Sequence, residues 1–141
     1  LKMCCLAFDD ALYEVSDIEI KRGGKSYTVD TLTELKKNYP ESELYFFMGD
    51  DMLLSFDRWY RYDDVLKLCT LVAACRTGNL EKLREMQLFA EEKLKDGKVI
   101  FCDCVPLEIS STEIRENIKN GENKGLSDNV FRYITSKELY R

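Results

Sequence analysis

Three consecutive hydroxyl side chains stand out in the segment ISSTEIR, because a single serine is enough to cap a helix. Ser110 and Glu113 have the S-x-x-E spacing of a capping box, which predicts that a helix begins directly after Ser110. This cap leaves Ser111 and Thr112 unexplained. A helix start also presents unpaired backbone N–H groups and the positive end of the helix dipole, and such positions bind phosphate and other anions.

Arg115 favours the anion interpretation of this segment. It follows Ser111 by four residues, so both side chains are predicted on one helix face, where the guanidinium adds a permanent planar charge. Helix caps are nevertheless common and phosphate sites are rare. Spacing alone therefore leaves two interpretations open, a cap only or a cap combined with an anion site.

A second segment, FMGDDML, places Gly49 at the end of an apolar run and two acidic residues after it. Glycine lets the backbone approach a ligand closely, and Asp50 and Asp51 can accept hydrogen bonds from ribose hydroxyls. The alternative is that both carboxylates only stabilise the positive start of a helix. Spacing alone favours this alternative.

A third segment, FDRWYRYDD, concentrates aromatic side chains around the only tryptophan of the chain. We predict that Phe56 and Tyr62 belong to the edge of the core. Trp59 has a flat face that can stack on a heteroaromatic ring. Arg58 and Arg61 are predicted to be solvated surface charges.

Strands and helices are predicted to alternate along the chain, beginning with a helical stretch, KMCCLAFDDAL. Alternating or short apolar runs predict strands at residues 15–21, 43–49, 70–76 and 98–104, with the second and third buried on both faces. Helical periodicity predicts a helical turn after Gly49 and helices at residues 27–39, 62–68, 79–97, 111–119 and 127–139, with Thr28 and Ser127 as N-caps. This order indicates an α/β fold with a mostly parallel sheet, whose ligands bind beyond the carboxyl ends of the strands.

Composition and charge exclude several classes of function. The 141 residues carry a net charge of −5, which argues against a nucleic-acid partner. The apolar runs are too short to span a bilayer, so we expect no membrane partner and a cytoplasmic location. The six cysteines fit no zinc pattern and are expected to be reduced and mostly in the core. Because the chain has no histidine, triads and histidine acid–base schemes are excluded within it.

Five motifs, taken in order, resemble the bacterial nicotinate-nucleotide adenylyltransferase family: SYTVDTL, YFFMGDDML, DRWYRYDDVL, VAACR and ISSTEIR. The resemblance runs over essentially the whole chain, although ISSTEIR alone indicates only the wider nucleotidyltransferase superfamily. The family implies a Rossmann-like nucleotidyltransferase fold in a single domain, here residues 1–141. It also implies transfer of AMP from ATP to nicotinate mononucleotide, which gives deamido-NAD and pyrophosphate with Mg²⁺; we assign no protein ligand to the metal.

The resemblance also implies roles for individual residues. Those that it places against ATP are Gly49, Asp51, Ser110, Ser111, Thr112 and Arg115. Of these, Ser111, Thr112 and Arg115 would hold the phosphates and act in catalysis, and Asp51 would bond a ribose. The nicotinate pocket is implied at Thr28, Trp59 and Tyr60, with Trp59 stacked on the ring and backbone amides near Thr28 and Tyr60 binding the carboxylate.

The sequence departs from the family at one large feature. Its relatives open with a strand, a glycine-rich turn and an H-x-G-H helix start whose histidines contact the phosphates, and this sequence contains none of these. We therefore expect at least one βα unit, on the order of 30 residues, to be absent, and the 141-residue piece to be inactive or nearly so on its own. Two alternatives stay open: an acceptor that is another phosphate ester, or a non-catalytic fragment that forms homo-oligomers through an exposed sheet edge.

Overall fold

A computed structural model describes residues 1–75, 80–102 and 109–140 of the chain. They form two compact units. The first, which we call the terminal unit, contains Leu1–Lys21 and the described part of residues 108–141. The second, which we call the sheet unit, contains the described part of residues 22–107.

The helices in chain order are α1 (Lys2–Ala7), α2 (Ile18–Arg22), α3 (Thr28–Asn38), α4 (Asp50–Leu53), α5 (Tyr62–Leu68), α6 (Leu80–Lys93), α7 (Ser111–Lys119) and α8 (Asp128–Ser136). A short 3₁₀ turn covers Phe56–Arg58. The strands are β1 (Tyr45–Gly49), β2 (Thr70–Ala74) and β3 (Val99–Cys102). Helices α5 and α7 begin and end where the sequence predicts, and each of the three strands lies within its predicted range.

The sheet is parallel, in the order β1-β2-β3, as the alternation of strands and helices predicts. Phe47 of β1 lies beside Val72 of β2, which in turn lies beside Ile100 of β3. Parallel strands require a crossover between them, and α5 and α6 lie in the two connections. The carboxyl ends of all three strands therefore lie at the same edge of the sheet.

The core of the sheet unit lies on one face of the sheet. Leu71 and Ala73 point from β2 into a cluster with Val65 of α5 and Met86 of α6, and all four are essentially inaccessible to solvent. Apolar burial of this kind supplies most of the stabilisation of a domain, about 25 cal/mol for each Å². The central strand is thus anchored by hydrogen bonds on both edges and by side-chain packing.

The prediction that β1 is buried on both faces is wrong. Met48 and Gly49 are buried, but Phe47 is 72% exposed and Tyr45 is 49% exposed. Tyr45 and Phe47 alternate with the core-facing residues and so share the opposite face of the sheet. The apolar run could not reveal this, because a run without polar residues reads the same whether one or both faces are covered.

The strand predicted at residues 15–21 is also wrong, since residues 18–22 form α2. The Lys21 backbone N–H donates to the Asp17 carbonyl over 2.9 Å, and the Lys21 ammonium pairs with the Asp17 carboxylate over 2.8 Å. Within the described residues the sheet pairs β1, β2 and β3 only. A segment without a strand neighbour satisfies its backbone locally, so the alternating pattern was overridden.

Thr28 is not the N-cap of α3, as the sequence predicts, but its first helical residue. Tyr27 is the cap residue, with an extended backbone, and its side chain makes no capping hydrogen bond. Ser127 does occupy the cap position of α8, also without a side-chain capping bond. Both helices are therefore stabilised by the packing of Val29, Leu32, Val130 and Ile134 rather than by capping hydroxyls.

The cysteines follow the predicted core placement only in part. Cys69 and Cys75 are buried, and burial raises the pKa of the Cys69 thiol to about 11, which is typical of an inert structural thiol. Cys4, Cys5 and Cys102 are exposed. The core prediction is wrong for Cys102, which lies in one of the apolar runs on which that prediction was based. Cys104 lies outside the described residues. No helix in the described part of the chain is both long and apolar enough to cross a membrane.

Gly97 offers a direct test of packing in the sheet unit. A Cβ at this position would lie 2.5 Å from Cδ2 and 3.1 Å from Cγ of the buried Leu66. We expect Gly97→Ala to lower the free energy of unfolding by about 1–2 kcal/mol, because Leu66 would have to leave its packed position. Urea unfolding measures this change. Lys95→Ala, at an exposed position nearby, is the control, and equal stabilities of the two variants would contradict the prediction.

Candidate functional site

The glycine and the two aspartates singled out in the segment FMGDDML lie where β1 ends. Gly49 is buried and occupies the N-cap position of α4, so the strand passes directly into the helix. Asp50 and Asp51 form the first turn of α4, the position at which the helix dipole favours carboxylates. Asp51 is exposed and Asp50 is half-buried. The geometry leaves the Asp51 carboxylate accessible at the carboxyl edge of the sheet.

A lysine that the sequence did not single out also lies near this edge. The Lys82 ammonium at the start of α6 pairs with Glu85 over 2.9 Å. The Glu85 hydrogen bond raises the pKa of Lys82, and the charges of Asp50 and Cys75 contribute to the same direction. The carboxyl edge therefore carries a cation close to the acidic start of α4.

Trp59 is held by aromatic contacts on the core side. Its ring centroid lies 5.0 Å from that of Phe56 and 5.9 Å from that of Phe46, the latter in an edge-on geometry. Phe56 is fully buried and Tyr62 packs partly buried against the same core, as predicted. Because Trp59 itself is only half-buried, its indole combines a rigid support with a part accessible to solvent. An aromatic residue of this kind can stack on a flat ring.

The start of α3 lies beside the residue that follows Trp59. The rings of Tyr27 and Tyr60 lie 4.4 Å apart, tilted by 38°, and Tyr60 is 55% exposed. This contact brings Thr28, which follows Tyr27, close to the Trp59–Tyr60 segment. The backbone N–H groups of Thr28 and Tyr60 donate to none of the described residues, so both remain available to an acceptor. Backbone amides without an acceptor in the protein can bind a carboxylate.

Arg22 anchors the beginning of the loop that precedes α3. The guanidinium donates through Nη2 to Thr31 Oγ1 over 2.5 Å and through Nη1 to Glu34 Oε2 over 3.4 Å. Gly23 and Gly24 follow in left-handed conformations, at φ of 67° and 71°. Glycine adopts these values without strain, which explains the glycine pair in the sequence. The loop is thus attached to α3 on one side and to Tyr60 on the other.

In the terminal unit, the first turn of α7 carries the hydroxyl cluster. Ser110 is the N-cap, and its Oγ accepts from the Glu113 N–H over 3.1 Å, so the serine half of the capping box is confirmed. The Arg115 guanidinium approaches Thr112 Oγ1 at 3.5 Å, a weak contact. Ser111 is exposed and uses its hydroxyl with no described residue. Of the three hydroxyls, only that of Ser110 caps the helix, as the spacing predicts.

Ser111 and Arg115 do lie on one helix face, because both line the same cavity of about 520 Å³ in the terminal unit. The remaining lining is mainly apolar and comes from α1, α7, α8 and residues adjacent to these helices. The residues implied by the resemblance therefore form two sets. Thr28, Trp59, Tyr60, Gly49 and Asp51 belong to the sheet unit, and the set from Ser110 to Arg115 belongs to the terminal unit. Arg76, at the end of the motif VAACR, lies outside the described residues.

Arg61 is an exposed surface charge, as the sequence predicts, but it is also held by local contacts. Its backbone is left-handed, at φ of 53°, and its guanidinium pairs with Asp64 over 2.8 Å. The R-x-x-D spacing at residues 61–64 is typical of an i, i+3 pair and could have indicated this contact. Tyr27 was also missed, because nothing local to its sequence shows that it meets Tyr60.

Side-chain metal ligands do not cluster in the described part of the chain. Across residues 1–75, 80–102 and 109–140, no three or more histidine, cysteine, aspartate or glutamate side chains cluster in a way that would hold an ion. The described carboxylates near Gly49 can supply at most one or two ligands, which is the number that Mg²⁺ takes when phosphates provide the rest.

Comparison with known proteins identifies relatives along most of the chain. Residues 1–117 match the family described as cytidylyltransferase-like. A probable nicotinate-nucleotide adenylyltransferase of Thermoanaerobacter sp. is 43% identical over 133 residues, which covers 92% of this chain and 63% of the relative. One of Clostridium tetani is 38% identical over 132 residues, covering 92% of this chain and 66% of the relative. The chain thus spans about two thirds of the length of the curated relatives it matches.

A solved structure shares the fold. The nicotinic acid mononucleotide adenylyltransferase of Plasmodium falciparum, complexed with APC, superposes with a TM-score of 0.60 over 84% of this chain and 60% of that chain. The sequence identity is 19%, so this likeness concerns the fold. It confirms the predicted Rossmann-like nucleotidyltransferase architecture with a parallel sheet and flanking helices.

The two serines at the start of α7 should separate capping from ligand binding. We expect Ser110→Ala to lower the free energy of unfolding by about 1 kcal/mol, because the Glu113 N–H loses its acceptor. Ser111→Ala should change it by less than about 0.5 kcal/mol, since this exposed hydroxyl bonds to no described residue. Thermal unfolding followed by circular dichroism measures both. A larger effect at Ser111 than at Ser110 would refute this assignment.

Proposed function

Because the chain belongs to the cytidylyltransferase-like family, we propose that it serves the transfer of AMP from ATP to nicotinate mononucleotide, which gives deamido-NAD and pyrophosphate. The single observation that carries the proposal is the arrangement around Trp59. A supported indole at Trp59 is followed by Tyr60, whose ring contacts Tyr27 directly before Thr28, and the Thr28 and Tyr60 amides donate to none of the described residues. The names of the curated relatives support the same reaction.

The acceptor site is proposed at Thr28, Trp59 and Tyr60. The pyridine ring of nicotinate mononucleotide would stack on the accessible part of the Trp59 indole. Its carboxylate would accept hydrogen bonds from the Thr28 and Tyr60 N–H groups, which are charge-assisted and about twice as strong as neutral bonds. An amide in place of the carboxylate offers one acceptor oxygen and no charge, so the same groups would discriminate against it.

Contacts to ATP are proposed separately for each unit, at the start of α7 in the terminal unit and at the end of β1 in the sheet unit. Ser111, Thr112 and the α7 backbone amides would bind phosphate oxygens, with Arg115 adding a positive charge. Ser110 would contribute through its cap, which keeps the first turn in place. Gly49 would let the nucleotide approach the strand end, and Asp51 would accept from a ribose hydroxyl.

Catalysis of this reaction depends mainly on positioning the two substrates and on stabilising the charge that develops on the phosphate. The acceptor phosphate attacks the α-phosphorus of ATP in line with the departing pyrophosphate, and the developing charge on the equatorial oxygens must be neutralised. Arg115 and the helix-start amides can do this without a general base. Mg²⁺, when bound with ATP, would supply further charge neutralisation through the phosphates. We assign the metal no ligand among the described side chains.

Turnover by these 141 residues is expected to be slow or absent. The chain contains no histidine, so the phosphate contacts that the family makes through H-x-G-H have no counterpart within it. Binding is therefore a sharper test than rate. We also propose a cytoplasmic location, because ATP is available there and free cysteines stay reduced.

A second candidate function is self-association without catalysis. It is favoured by one specific observation, the exposed apolar face of β1, where Phe47 is 72% exposed. Exposed apolar strands at a sheet edge promote pairing with another chain. A protein of this kind would form dimers and would bind neither nucleotide, so the titrations below separate the two candidates.

Trp59 is the only tryptophan and therefore reports on the acceptor site directly. We expect nicotinate mononucleotide to quench its fluorescence with saturation, because ring stacking places the pyridine against the indole. Nicotinamide mononucleotide should bind about tenfold more weakly, since it lacks the charge-assisted bonds. Equal responses to nicotinate mononucleotide, pantetheine phosphate and glycerol phosphate would instead favour a different acceptor.

Arg115 can be tested independently through ATP. We expect Arg115→Ala to weaken ATP binding by about tenfold or more, because a hydrogen bond from a charged group is lost. Isothermal titration calorimetry measures the affinity. Arg132→Ala, which removes an exposed arginine from α8 of the same unit, is the matched control and should bind ATP as the parent does. Unchanged ATP affinity in Arg115→Ala would remove α7 from the proposed site.

A further inference from the structure

The segment that carries Trp59 and Tyr60 ends in an unusual turn. The Tyr62 N–H donates to the Trp59 carbonyl over 3.3 Å, which closes a four-residue turn with Arg61 in its third position. Arg61 adopts φ of 53° and ψ of 44°. Glycine or asparagine normally occupies a left-handed position in such a turn, because a Cβ is disfavoured there. An arginine at this position therefore requires a compensating interaction.

That interaction is the ion pair with Asp64. Arg61 Nε and Nη2 both lie 2.8 Å from Asp64 Oδ2, and Lys67 approaches the other carboxylate oxygen at 3.2 Å. The Asp64 and Val65 N–H groups donate to the Arg61 carbonyl, which anchors the same residue to the first turn of α5. Hydrogen bonds from Arg61, followed by those from Lys67, lower the pKa of Asp64, so the carboxylate is charged at neutral pH. Bonds to both the side chain and the carbonyl of Arg61 thus hold its left-handed backbone conformation.

The turn lies next to the groups that the acceptor would use. Trp59 precedes it, with its ring on Phe56 and Phe46, and Tyr60 occupies its second position. The orientation of the Tyr60 N–H depends on the peptide plane between Trp59 and Tyr60, and this plane belongs to the turn. Strained residues of this kind cluster at binding sites, where surrounding contacts hold them in place.

We propose that Arg61 is a positioning residue, whose left-handed conformation, held by Asp64, presents the Tyr60 amide and the Trp59 ring to the acceptor nucleotide. This inference rests on the proposed function for the identity of the ligand. Arg61 does not contact the acceptor in this proposal and acts through the backbone of the turn. Its side chain matters only because it keeps the turn closed.

Two substitutions at residue 61 separate the backbone from the side chain. Arg61→Gly removes the guanidinium but accepts the left-handed conformation without strain, whereas Arg61→Val removes it and strongly disfavours that conformation. We expect Arg61→Val to weaken the binding of nicotinate mononucleotide by about tenfold and Arg61→Gly to stay within about threefold of the parent. Calorimetric titration of the 141-residue chain measures both affinities, and ATP affinity should stay at the parent value in both variants.

Glu138→Val is the matched control, because Glu138 is also left-handed, at φ of 54°, but lies two residues after α8 in the terminal unit. It should lower stability and leave the affinity for nicotinate mononucleotide unchanged. Equal losses in Arg61→Gly and Arg61→Val would show that the guanidinium contacts the ligand and would overturn the proposal. Parent-like affinity in Arg61→Val would overturn it as well.

A ligand-free measurement distinguishes failure of this inference from failure of the proposed function. The emission maximum and acrylamide quenching of Trp59 report the packing of its ring in the absence of any nucleotide. We expect both to change in Arg61→Val and to remain parent-like in Arg61→Gly. If the parent chain binds no nicotinate mononucleotide, the proposed function fails, while this spectroscopic pattern alone still decides whether Arg61 positions the turn.

Discussion

The parallel pairing of β1, β2 and β3 is the constraint on which the sheet unit depends. Parallel neighbours cannot be joined by a tight turn, so each connection must carry the chain back along the sheet. The helices that do so pack on Leu71 and Ala73, and the strand ends are left together at one edge. Cys75 reaches the same edge as Gly49 and Asp51 for this reason, although it is distant from them in sequence.

The Trp59 indole combines a rigid support with an accessible surface. Phe46 comes from the sheet and Phe56 from the core, so the indole is connected to the most buried part of the unit. The contact between Tyr27 and Tyr60 then joins the start of α3 to the segment that carries Trp59. Ordering these groups before a ligand arrives lowers the entropy that binding must supply, which is the usual advantage of a preorganised site.

The hydroxyl cluster of α7 shows how a capping sequence can also serve a ligand. Ser110 satisfies the Glu113 N–H and so completes the ordinary requirement of a helix start. Ser111, the next residue, does not cap the helix, and it lines a cavity together with Arg115. A helix terminus needs one good acceptor from its cap, and further hydroxyls in the first turn remain available for other partners.

Local patterns in the sequence determined the helices α5 and α7, the three strands, the Ser110 cap and the shared face of Ser111 and Arg115. Each of these depends on spacing along a single element, which the chain itself encodes. The structure also shows a helix at residues 18–22 and a left-handed Arg61 paired with Asp64, which are held by local contacts that the sequence analysis did not predict. Only the tertiary structure decided that Phe47 is exposed and that Tyr27 meets Tyr60. These features depend on which element lies beside which, and a residue pattern carries no information about a neighbour that is distant in sequence. A segment can form its backbone hydrogen bonds and bury its apolar side chains either locally or against a distant element. The packing of the whole unit decides which of the two it does.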